Sequence, residues 1–305
     1  MLNRQIVNAT RLFSKTLLAS ILSLFALTPL SAENSGAFVE GGFEYSTLTG
    51  EDTENDTAYS SVSAQGLAFS RSAFSFQNPF DGALFGANVQ IGYKQFFGQR
   101  KMFGLRYYGF FSGQGGLGSF EKAPTEYDND VRPVAWSKSN QATANLFYGV
   151  GVDALFNFYE KEERTLGIFA GLMIGGSSWL MGAGDLKGEC RWRTEDEDGN
   201  LGPCQTMEKY FSNQTKQANA SDGGGKATFH PTFVQFIVNL GLRSNFTKHQ
   251  GLEFGVRIPT INNSYYTVTN TLGGGEGYLI GGLGSKRTIT LRRTVGVFVN
   301  YVYSF

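Results

Sequence analysis

Residues Leu291–Phe305 read LRRTVGVFVNYVYSF. The odd positions are Arg293, Val295, Val297, Val299, Tyr301, Tyr303 and Phe305, and the even positions are Arg292, Thr294, Gly296, Phe298, Asn300, Val302 and Ser304. One face is apolar beyond its first residue, and the other is mostly small or polar. Period-2 alternation over about ten residues is the mark of a membrane-spanning strand, with one face to lipid and the other to a barrel interior. An aromatic terminus preceded by alternate apolar residues (Val297, Val299, Tyr301, Tyr303, Phe305) also has the form of an assembly signal, since this strand must pair with the first to close a barrel.

Working backwards, the same alternation recurs. Gln250–Ile261 sets Leu252, Phe254, Val256 and Ile258 against Glu253, Gly255 and Arg257, and Thr232–Thr247 sets Val234, Phe236 and Val238 against Gln235, Asn239 and Arg243. Asn145–Glu160 opposes Leu146, Tyr148 and Val150 to Gly149, Gly151 and Asp153. Gly36–Thr47, Leu84–Gly98, Phe103–Gly113 and Thr165–Leu180 complete a set of eight. The connections alternate in length. Gln99–Met102, Lys161–Arg164 and Lys248–His249 are short, whereas Leu48–Ala83, Gln114–Ala144, Met181–Pro231 and Asn262–Thr290 are long. Short turns at one end and long polar loops at the other are the layout of an outer-membrane barrel, and closure leaves no unpaired edge in lipid. The expected fold is all-β, an eight-stranded antiparallel up-and-down transmembrane β-barrel with four long extracellular loops. One segment competes. Thr165–Gly184 has no charge until Asp185 and carries Gly167, Gly171 and Gly175 at the spacing of a helix-dimer motif. A helix there would leave an odd number of strands.

Composition agrees. Of 305 residues, 40 are glycine and 27 phenylalanine, and charged residues are only 17%. That much glycine opposes a helical bundle, and the aromatic content opposes disorder. Residues 1–32 read as a signal peptide: Arg4, Arg11 and Lys15 precede an apolar stretch, Thr16–Leu30, and small residues at Ser31 and Ala32. Its removal takes three bases and no acid, leaving 23 basic against 26 acidic residues, so no nucleic-acid partner is expected. Residues 33–305 form one barrel domain. Cys190 and Cys204 are expected to form a disulfide in an exported chain; a metal pair is the alternative.

The inward positions would hold Glu40, Glu44, Lys94, Arg106, Asp153, Arg243, Glu253, Arg257 and Arg292. An eight-stranded interior is only wide enough for its own side chains, so these charges should pair as a structural plug. The alternative is an ion-selective pore lining. No catalytic motif stands out. His230, with Asp222 nearby in sequence, lies at an outer rim where a hydrolase would need it, but a lone histidine at a loop end is ordinarily a surface residue, and Gly273–Gly277 reads as a loop tip. No enzyme, cofactor or metal is expected.

The stretches GANVQIGYKQFFGQRKMFGLRYYG (Gly86–Gly109), RTVGVFVNYVYSF (Arg293–Phe305) and GAFVEGGFEYS (Gly36–Ser46) resemble the Helicobacter outer-membrane proteins, Hop and Hop-related. The resemblance implies a bacterial outer-membrane barrel with a surface role. Large members include adhesins for host cells and glycans, and some are porins. The large N-terminal extracellular domain of those adhesins has no counterpart here, so no receptor-binding residue carries over. The expected partners are outer-membrane lipid, the barrel-assembly machinery and a host-cell receptor or glycan. The first expected function is surface contact or adhesion, and the second is a small porin or channel.

Overall fold

The computed structural model describes residues 35–62, 68–98, 101–128, 132–161, 164–194, 200–220, 222–273 and 276–305. The expected signal peptide, residues 1–32, lies outside them. In chain order the strands are β1 (Gly36–Asp56), β2 (Tyr59–Val62), β3 (Ala68–Arg71), β4 (Phe74–Phe97), β5 (Phe103–Tyr127), β6 (Pro133–Lys161), β7 (Arg164–Leu186) and β8 (Glu189–Cys190). The helix α1 (Met207–Ala218) follows, then β9 (Gly225–Phe229), β10 (Thr232–Asn245), β11 (Gln250–Pro259), β12 (Asn263–Asn270) and β13 (Lys286–Ser304).

Eight of these strands close a ring in the order β1, β4, β5, β6, β7, β10, β11, β13, every neighbour antiparallel, with β13 returning to β1. The eight-stranded barrel is the fold. Thr165–Gly184 falls within strand β7, not in a helix, and among the described residues no helix is long and apolar enough to cross a membrane. Its three spaced glycines are four residues apart, an even number, so they share one strand face just as they would share a helix face. The outward positions carry the apolar belt: Ile91, Val150, Leu172, Phe254 and Val299 are all exposed on the outer wall.

The wall extends well past this belt. Strand β6 alone has 29 residues, against the roughly 10 a membrane strand needs. Most of the expected loops Leu48–Ala83 and Gln114–Ala144 are therefore continuations of β1, β4, β5 and β6. Beyond the lipid the outer face of a strand is polar too, and the alternation that marks it fades. Beside β1, β13 continues past β11, which ends at Pro259; there β12 pairs with β13 and β9 with β12, extending the wall outward. The helix α1 packs against β9, β7 and β12.

Two glycines show why this residue is so abundant. A Cβ at Gly151 would lie 2.5 Å from the Tyr108 ring, and one at Gly171 would meet the Asp153 carboxylate at 2.1 Å. Large interior side chains from one strand use the space that glycine leaves on the next.

Candidate functional site

The interior is filled by a charged layer flanked by apolar ones. Arg106 on β5 is fully buried and holds three strands through its guanidinium. Its Nη1 donates to Glu40 Oε2 of β1 at 3.0 Å and to Glu253 of β11 at 2.8 Å, and its Nη2 donates to Asp153 Oδ2 of β6 at 2.6 Å. Arg257 donates to Glu44 Oε2 at 2.7 Å and Asn88 at 3.2 Å. Arg243 lies 3.7 Å from Glu253 and donates to Asn157, while Lys94 donates to Ser304 Oγ at 3.2 Å. The fork geometry of arginine makes it the base suited to bridging several carboxylates at once.

Arg292 is a correction. It is exposed on the outer wall, and Arg293 points inward instead, 3.6 Å from Glu44 and donating to Gln114. The cause is a β-bulge. Ser46 faces Gly296 but Leu48 faces Arg293, so Thr294 and Val295 together oppose Thr47. One extra residue reverses which face every later side chain takes. Sequence reading also missed the neutral partners: Asn300 and Ser112 donate to Glu40 and Glu44, and Tyr108 and Asn239 donate to Asp153. All occupy inward positions but carry no charge to mark them among the other polar residues there.

Apolar side chains fill the rest. Phe38, Phe110, Phe147, Met173 and Ile237 form one buried cluster, and Phe96, Leu155, Phe169 and Phe298 another. A third and larger cluster closes the outer end, where Met207 and Phe211 of α1 are buried against Trp179, Trp192, Tyr266 and Ile289. Thr206 caps α1 by accepting from the Lys209 N–H at 3.1 Å. Just before it, Cys190 and Cys204 form the expected disulfide, Cα to Cα 5.8 Å, and Trp192 between them donates to Gln141 at 2.6 Å. The disulfide and α1 thus form a structured seal over the barrel mouth.

Above the seal opens a vestibule of about 650 Å³. Its lining pairs three acids, Asp52, Glu54 and Asp56, with three bases, Arg71, Arg191 and Arg287. Arg287 holds Asp52 bidentately at 2.8 and 2.9 Å. Burial, with Glu54 beside it, pushes the Asp56 carboxyl up to about 6. Burial pushes the Arg191 guanidinium down to about 10, still charged at neutral pH. His230 is exposed at the rim, its carbonyl accepting from Asn263, and Asp222 is exposed as well. Gly274 and Gly275 lie outside the described residues.

Residues 88–305 match the family model described as Helicobacter outer membrane protein. The chain belongs to that family. It is accordingly an integral protein of the bacterial outer membrane. Comparison with curated proteins gave no match. Among solved structures it is similar to OprG from Pseudomonas aeruginosa (11% identity, 90% of this chain and 98% of that one, TM-score 0.37). It is also similar to Neisserial surface protein A (12%, 85% and 97%, TM-score 0.27) and to the outer membrane protease OmpT from Escherichia coli (10%, 88% and 97%, TM-score 0.33). At these identities and scores nothing about function transfers.

Proposed function

We propose that this member of the family is a closed, non-enzymatic barrel whose outer face contacts host cells or their surroundings. The observation that carries the reading is where the chain invests its structure. The interior is packed with ion pairs and aromatic side chains, while the outer end carries extended walls, a capped helix and a disulfide. An interior of that kind weighs against the small-porin reading, because an aqueous channel needs a lumen free of packed side chains, normally from more strands. The interior charges act as cross-links between opposite walls. The test is a binding comparison of cells with and without the protein on host epithelium and on glycan arrays. Reduced binding by the deletion strain, restored by the intact gene, is expected; equal binding on every surface refutes the contact role.

A further inference from the structure

We propose that the outer vestibule binds a small organic carboxylate, with the carboxylate on Arg191 and the apolar body against the aromatic wall. Arg287 is committed to Asp52, but Arg191 forms no ion pair among the described residues. Its guanidinium lies 4.1 Å from the Phe120 ring centre and 4.5 Å from that of Trp192. These two rings, 74° to each other, hold the cation by cation–π contact and offer it no hydrogen-bond acceptor. Nη1 is buried and has no hydrogen-bond partner. A buried guanidinium N–H without an acceptor is costly, so a site that keeps one fits a ligand that supplies the acceptor. A carboxylate matches the planar fork of arginine better than a spherical anion does.

The remaining wall sets the rest of the ligand. Tyr127, Trp192, Tyr210 and Tyr278 line the same cavity and offer ring faces to an apolar or aromatic body. At another part of the lining, Asp56 Oδ1 and Arg71 Nε are also buried without partners, ready to bond a polar substituent. Three acids balance three bases, which disfavours a polyanion and favours a single carboxylate. The volume falls within the roughly 300–1,000 Å³ of small-molecule sites. Arg191 adjoins Cys190, so the disulfide fixes the backbone that presents it. The proposal does not rest on the host-contact reading: a barrel that bound no host cell would still take the carboxylate.

The test uses the mature full-length barrel in lipid nanodiscs, titrated calorimetrically with indole-3-acetate, its neutral amide and plain acetate. Saturable binding of indole-3-acetate is expected, weakened about tenfold or more in the amide, which loses the charge-assisted bond, and in acetate, which lacks the stacking body. Arg191→Gln should cause the same loss, with its folded fraction checked by heat-modified gel mobility. Gln214→Trp, which fills the cavity from α1 without altering Arg191, should block binding even if the first variant folds poorly. No saturable binding of indole-3-acetate, equal binding of the amide, or full binding by Gln214→Trp overturns the proposal.

Discussion

Replacing Arg106 with Met keeps most of the stem volume and removes only the guanidinium. Three carboxylates, Glu40, Asp153 and Glu253, then lose the group that approaches them at 3.0, 2.6 and 2.8 Å. All are buried, and removing one partner of a buried pair costs about 3–5 kcal/mol because the other charge is left unmatched. Arg243 stands 3.7 Å from Glu253 and retains part of that one interaction; the side-chain hydrogen bonds left to Glu40 and Asp153 come from the neutral donors Asn300, Tyr108 and Asn239. The loss should therefore sit in the upper part of that range. Equilibrium urea unfolding of the refolded barrel in lipid vesicles, followed by tryptophan fluorescence and gel mobility, measures it. The double variant Arg106→Met/Glu253→Gln should recover part of the loss, since one stranded charge is gone. A loss under about 1 kcal/mol, the size expected of an exposed ion pair, would refute the view that this cluster ties the walls together.

Replacing Cys190 and Cys204 with Ser should cost about 3 kcal/mol for a loop of about 15 residues, read as earlier unfolding of the outer end by proteolysis before the barrel melts. Trypsin added to intact cells should cut at the exposed Lys187 or Arg193 and spare Lys101 and Arg164 in the inner turns; cleavage confined to the second pair would invert the topology. Deleting Phe305, which is 70% exposed and whose N–H donates to Ala37, should empty the outer membrane of heat-modifiable barrel if the terminus is read by strand addition during assembly. Normal levels of folded barrel would reduce Phe305 to a girdle aromatic.

The barrel was legible because lipid enforces a strict rule. Wherever a strand crosses the bilayer one face must be apolar, and Val297, Val299 and Tyr301 obey that rule without exception. Outside the bilayer the rule lapses, which is why β1 beyond Thr47 and β6 before Asn145 looked like loop. Interior charges could be picked from parity alone until the bulge at Thr294 and Val295, whose two residues are neither glycine nor proline and which exchanged Arg292 for Arg293. The vestibule was beyond reach of pattern. Asp56, Arg191, Tyr210 and Arg287 come from four distant stretches and meet only through the closed ring, while α1 has just 12 residues in a segment otherwise polar.

Single-channel recording of the purified barrel in a planar bilayer tests most directly whether the barrel is closed. The buried clusters and the α1 seal imply a silent protein, with no steps above the bilayer baseline across the voltage range at which the lipid itself is stable. Reproducible unitary openings from folded, disulfide-intact protein would contradict that and return the charged interior to the role of a pore lining.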